Sequence, residues 1–153
     1  MNIEYRRATA DQIDLLVTTR VEVLRAANRL DDSADLSEVA AQSRDYYLRA
    51  LRDNTHTGFL AFDGEDFVGA GGVSYFRVMP TCHNPTGWKA YIMNMYVRPG
   101  YRRRGVAMRM LDLLVADARA RGIGCISLEA TDAGRPLYEK YGFVPMTHEM
   151  ELT

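Results

Sequence analysis

Apolar residues change their period several times along the chain, and each change marks an element. Residues 2–6 alternate weakly and run to Thr9, which with Gln12 forms a capping box. The spacing predicts a short edge strand, then a helix whose Ile13, Leu16, Val17, Val21 and Leu24 face the core. Asp35 and Glu38 make a second cap-like pair ahead of a helix to about residue 51, with Val39, Tyr46, Ala50 and Leu51 as its buried positions. Residues 57–62 and 67 to about 78 suit strands, and Asp63-Gly64 between them marks a hairpin. A loop through Pro80, Asn84, Pro85 and Gly87 leads to the most apolar candidate, 90–97, which reads as a central strand buried on both faces.

An Arg- and Gly-rich turn then opens a helix through Arg121, with Ala107, Met110, Leu111, Leu114 and Ala118 as one apolar stripe. Residues 123–130 predict a further strand. A short helix follows, with Pro136 in its first turn and Gly142 as its stop, and a last strand begins at Phe143. The order βααβββαβαβ predicts an α/β (α+β) fold with a mixed central sheet flanked by helices and one parallel crossover. At 153 residues this is one domain.

Composition narrows the function classes. With 47% hydrophobic and 25% charged residues the chain is neither disordered nor fibrous, and a net charge of -1 excludes a global pull toward nucleic acid or anionic membrane. Cys82 and Cys125 are far apart without a C-x-x-C spacing, so we expect two small buried hydrophobes rather than a disulfide framework or zinc module. The charged N-terminal stretch and the lack of a run near the ~18 apolar residues of a membrane span predict a cytoplasmic protein. His83 reads as a surface residue, and His56 and His148 have no partner at ligand spacing, so no metal site is expected. Gly69-Ala70-Gly71-Gly72 resembles a phosphate loop but continues into strand residues, which favours close strand packing or a bulge. Tyr46-Tyr47 read as core and rim.

The segment 93–111 carries the chemistry, because a buried strand passes through an Arg/Gly turn directly into a strong helix. Amides of the first helical turn have no intrahelical partner, so those of about residues 103–107 can converge on a pyrophosphate with help from the macrodipole. Arg98, Arg102, Arg103 and Arg104 add attraction without an intervening acid. The run Arg102-Arg103-Arg104-Gly105-Val106-Ala107 fits the R-x-x-G-x-G/A signature of the GNAT superfamily of acetyl-coenzyme A dependent N-acetyltransferases. A second block, Gly134-Arg135-Pro136-Leu137-Tyr138-Glu139-Lys140-Tyr141-Gly142-Phe143, resembles that family's L-Y-E-K-x-G-F element. The resemblance covers essentially the whole chain, with its specific motifs between residues 90 and 143.

The resemblance implies acetyl transfer from acetyl-coenzyme A directly to a primary amine. It implies cofactor contacts at Met95, Tyr96, Val97, Arg102, Arg103, Arg104, Gly105, Val106, Ala107, Arg135 and Tyr138, and at Thr131, which departs from the Asn that many members carry there. Pantetheine would pair with the main chain of Met95 and Val97, the Met95 N–H would face the oxyanion, and Tyr138 would return a proton to the thiolate. Tyr141 reads as packing. For the base, Glu129, Glu22 and a water chain all stay open. Asp31, Asp32, Asp35, Glu38 and Asp45 outnumber Arg44 on the acceptor side, which suits a small cationic acceptor such as a polyamine, an aminoglycoside-like or other amino-bearing antibiotic, or an amino acid derivative. Alternatives are a protein lysine or N-terminal acetyltransferase and a non-catalytic acyl-coenzyme A sensor. A nucleic-acid partner using residues 98–104 is disfavoured by the acidic remainder of the chain and by the lack of an extended basic face with interleaved stacking aromatics, and the resemblance leaves a homodimer open.

Overall fold

The computed structural model describes residues 2–153. Five strands, β1 (Ile3–Arg7), β2 (His56–Asp63), β3 (Asp66–Arg77), β4 (Trp88–Val97) and β5 (Ile126–Leu128), form one sheet in the order β1-β2-β3-β4-β5. The first three pairings are antiparallel, and β4 and β5 run parallel through a crossover that contains α3 (Val106–Ala120). The remaining helices are α1 (Ile13–Ala27), α2 (Ser37–Arg52) and α4 (Arg135–Tyr141). No helix among the described residues is long and apolar enough to cross a membrane.

Two apolar layers sandwich the sheet. On one face Ile13, Leu16 and Val17 of α1 and Tyr47 of α2 cover Leu60, Phe62 and Phe67. On the other, Met110, Leu111, Leu114 and Val115 of α3 cover Phe59, Ala61, Val68 and Ile92. Successive residues of β2 therefore enter opposite cores, which is the period-two consequence of a strand covered on both sides.

The predicted mixed sheet, helix order and hairpin at Asp63-Gly64 are all present, and Thr9 N–H donates to Gln12 Oε1 at 3.0 Å as the capping box requires. Several local expectations are corrected. The strands buried on both faces are β2 and most of β3, whereas β4 buries only Ala90 and Ile92, because β5 covers its far edge for three residues. On α1 the buried positions include Thr19 and Val23 in place of Val21 and Leu24. On α2, Tyr47 is 4% exposed and Tyr46 39%, since neighbouring helical residues differ by about 100° and the 47/50 stripe faces the sheet. Cys82 lies exposed in the β3–β4 loop; Cys125 is partly buried. The strand predicted over 123–130 contracts to Ile126–Leu128. No strand forms after Phe143 among the described residues: β5 offers too short an edge to template one, and Pro145 supplies no N–H.

Candidate active site

The site begins with an irregularity in β4. Met93 pairs with Gly72 and Tyr96 with Ala70, so Asn94 and Met95 together oppose Gly71 in a β-bulge, and Asn94 adopts a left-handed φ of 63°. The extra residue reverses the alternation. Ala90, Ile92, Met95 and Val97 all pack toward α3, whereas Tyr96 joins the α1 side. A strand without the bulge would have put Met95 beside Met93. Gly71 accommodates it: a Cβ there would stand 2.5 Å from Met110 Cγ and 3.0 Å from both Leu114 Cδ1 and Met95 Sδ.

The bulge also aims the main chain. Ala90 N–H donates toward β5, to Cys125 C=O at 2.9 Å, and Arg98 N–H toward β3, to Val68 C=O at 2.8 Å. Counting between them through the bulge, the polar groups of Met95 and Val97 face the β5 side, where pairing has already stopped at Ile92↔Leu128. The C-terminal half of β4 thus presents an edge that no neighbouring strand pairs.

That edge leads to the mouth of α3. The ladder of α3 opens with Arg109 N–H donating to Gly105 C=O at 3.0 Å, so the amides just before Arg109 lack intrahelical acceptors. Gly105 has φ 80°, and a Cβ built on it meets nothing within 4 Å, so the space above the turn is open to a ligand. Arg103 is also left-handed, at φ 62°. Tyr101 hydroxyl donates to Asp63 Oδ2 at 2.8 Å and ties this turn to the β2–β3 hairpin. Of the predicted arginines, Arg102 Nε donates back to Val97 C=O at 3.0 Å and Arg104 lies over the Tyr101 ring at 5.8 Å. Val106 is buried and anchors the helix in the core.

The second block forms α4, which ends at Gly142. Thr131 closes the turn that leads into it: Gly134 N–H donates to Thr131 Oγ1 at 3.1 Å and Arg135 N–H to Thr131 C=O at 2.9 Å. Arg135 Nε donates to Glu139 Oε1 at 2.9 Å on the exposed side. Tyr138 packs edge-on against Phe143 and against the α3-side core, and burial raises its pKa above the ordinary phenol value. Its hydroxyl makes no hydrogen bond with the described residues.

The two candidate bases differ. Both oxygens of Glu22 are engaged by Arg98, at 2.7 and 2.9 Å, and that guanidinium holds the carboxyl below its usual pKa. Glu129 is exposed just beyond β5, where Tyr91 hydroxyl donates to it at 3.5 Å. Among the acceptor-side acids, Asp31 and Asp35 accept the amides of Ser33 and Ser37 at 2.9 Å each, and Asp45 pairs with Arg49 at 3.0 Å. Those three are spent on turns and a helix pair.

Sequence reasoning missed a cavity of about 300 Å³ between α1, α2 and the bulge, lined by Arg20, Tyr46, His56, Ser74, Met93 and Asn94 among others. His56 is 7% exposed, held edge-on between the Tyr46 and Tyr47 rings, and its Nδ1 shares a hydrogen bond of 2.9 Å with the Tyr46 hydroxyl. Burial first, then the charges of Arg20 and Arg121, lower its pKa to about 4, so it is neutral near pH 7. Tyr46 hydroxyl also bonds Ser74 Oγ at 2.6 Å.

A sequence profile described as the acetyltransferase (GNAT) family matches residues 23–143. The chain belongs to that family. A predicted acetyltransferase from Clostridium acetobutylicum, solved with acetyl-CoA, is 33% identical with a TM-score of 0.90, over 99% of this chain and 96% of that one. A GCN5-related N-acetyltransferase from Ralstonia eutropha JMP134 is 29% identical with a TM-score of 0.82, over 99% and 98% of the two chains. An aminoglycoside acetyltransferase from an uncultured soil metagenomic sample shares the fold at 19% identity and a TM-score of 0.75, over 100% and 99%. No functionally curated protein matches the chain significantly.

In this GNAT acetyltransferase Met95 and Val97 lie on the part of β4 that β5 does not pair, and residues 102–107 form the turn that follows it and opens α3. Thr131, Arg135 and Tyr138 gather at α4 across the β5 side, and Glu22 sits on the opposite, α1 face with Tyr96. The Gly69-Ala70-Gly71-Gly72 run, read from the sequence as close strand packing or a bulge, lies opposite the bulge, and Asn94, a residue that tolerates left-handed backbone, is the further signal that could have located it and the cavity.

Proposed function

We propose that the protein transfers the acetyl group of acetyl-CoA to the nitrogen of a small-molecule amine. One observation carries the reading: the Met95–Val97 edge that β5 leaves open follows Asn94 of the cavity directly and precedes the α3 turn. The turn suits a diphosphate, since amide donors, the helix dipole and the free space over Gly105 coincide there. The strand edge suits the amides of a pantetheine arm, which would pair with Met95 and Val97 as an added strand does. The thioester supplies an activated acetyl group.

The remaining work falls to this chain. Met95 N–H, turned out of the sheet by the bulge, faces the negative charge that develops on the carbonyl oxygen. The attacking nitrogen must be neutral, although a lysine-like amine has a pKa of about 10.4. Glu22 is committed to Arg98, Glu129 is exposed and does not line the cavity, and His56 is too weak a base near pH 7, so we assign the proton to water in the cavity. Tyr138 keeps its proton at neutral pH and gives it from Oη to the departing thiolate, whose thiol pKa is about 8.5, and the tyrosinate takes back through water the proton that the nitrogen releases. A cavity of about 300 Å³ has room for a small acceptor.

Thiol release from acetyl-CoA across a panel of amines tests the reading. Tyr138→Phe should lower kcat at saturation by about 100-fold or more while acetyl-CoA affinity stays within about twofold. An unchanged kcat would return Tyr138 to a packing role. Tight acetyl-CoA binding with no thiol release from any amine would favour the sensor.

A further inference from the structure

The cavity beside the bulge contains a cation without a counter-ion. Arg20 projects from α1 and donates from Nη1 to Asn94 Oδ1 at 3.0 Å. No carboxylate of the described residues pairs with it, whereas Glu22, two residues further along α1, is taken by Arg98. Arg20 is half-buried and lines the cavity, where its hydrogen bond to Asn94 holds the guanidinium. The other walls are neutral: the Tyr46 and His56 rings, the Met93 side chain, and the hydroxyls of Tyr46 and Ser74. Arginine is rarely withdrawn from water without an anionic partner, because the desolvation cost is otherwise unmatched.

Accepting the acetyl-transfer reading above, we propose that this cavity selects an acceptor bearing a carboxylate close to its amine and an apolar or aromatic body, with Arg20 as the carboxylate's anchor. One guanidinium and the Asn94 side-chain amide suit a monoanion; a phosphate dianion would call for more donors than the cavity offers. The rings and Met93 take the apolar body. A second consequence concerns polyamines and aminoglycoside-like polycations, whose extra ammonium groups would meet Arg20 with no carboxylate between them. The acidic stretch near α2 does not offset this, since none of its five acids lines the cavity.

The alternative is that Arg20 only props Asn94 in its left-handed conformation and so supports the bulge. That role would affect every acceptor alike, so a ratio between matched ligands separates the two. Phenylalanine and methionine are compared with their decarboxylated counterparts, phenethylamine and 3-(methylthio)propylamine, by equilibrium calorimetry in the presence of CoA and by thiol release from acetyl-CoA. The carboxylates should be favoured at least about tenfold, the ratio should collapse to within about twofold in Arg20→Gln, and Arg20→Lys should recover part of it. Equal or inverted preference in the wild-type protein, failure of every carboxylate to bind, or an equal loss for both ligand types in Arg20→Gln would overturn the proposal. The calorimetric ratio stands without turnover, so a chain that binds carboxylates through Arg20 but releases no thiol would overturn the transfer reading alone.

Discussion

His56 illustrates what a single buried side chain costs. Its imidazole is enclosed by Tyr46 and Tyr47, with Arg20 and Arg121 adding positive charge, and it binds a proton only near pH 4 in the folded state against about 6.5 in an unfolded chain. The folded pKa is depressed, so the unfolded state takes up the proton first. Stability is therefore full above about pH 6.5 and falls as the pH drops toward 4, by up to about 3 kcal/mol from this residue. Denaturant midpoints measured from pH 7 to pH 4.5 should show that slope, and His56→Gln should flatten it; an equal slope in the variant would show that His56 is not its source, since the pairing of Glu22 with Arg98 is lost only over a lower range. At the same scale, Asn94 and Gly71 are coupled choices: one takes the left-handed turn of the bulge, and the other lets Met110 and Met95 close over it.

Among the elements, α3 carries a built-in comparison. Gly105 opens it at φ 80° and Gly122 follows its end at φ 76°, and a Cβ at either position meets nothing within 4 Å. Alanine at either site therefore incurs the same backbone strain, about 1–2 kcal/mol, with no clash inside the protein. Only Gly105 stands over the proposed diphosphate cradle. Gly105→Ala should weaken acetyl-CoA binding by about tenfold or more, while Gly122→Ala should lose a similar amount of stability and leave acetyl-CoA affinity within about twofold. Equal affinities for the two variants would remove the cradle from the α3 turn. For β4, the decisive property is that β5 leaves it after Leu128: the short pairing that weakens the sheet also creates the exposed edge of Met95 and Val97.

For the whole molecule, the sheet sandwiched by α1/α2 and α3 is a rigid frame in which the α3 turn, the β4 edge and the cavity lie on separate elements. A ligand that spans them should stabilise all of them together, so acetyl-CoA at 100 times its dissociation constant should raise Tm by about 5–10 °C. No rise at millimolar acetyl-CoA would contradict the path from turn to cavity. Much of this frame was legible beforehand: the Thr9–Gln12 cap, the Asp63-Gly64 hairpin, the α3 stripe and the two motif blocks all depend on neighbours within a few residues, where periodicity and turn chemistry operate. The closing strand and the double burial of β4 were misjudged because both depend on how far β5 extends, which no local pattern records. The sequence by itself determined which segments become helices and strands and where an anion would find free amides, since those follow from short-range spacing and backbone chemistry. Only the tertiary structure decided which side chains remain available for chemistry: it joined Glu22 to Arg98 and Arg20 to Asn94 across 76 and 74 residues, and such pairings arise only once the sheet and α1 have packed together.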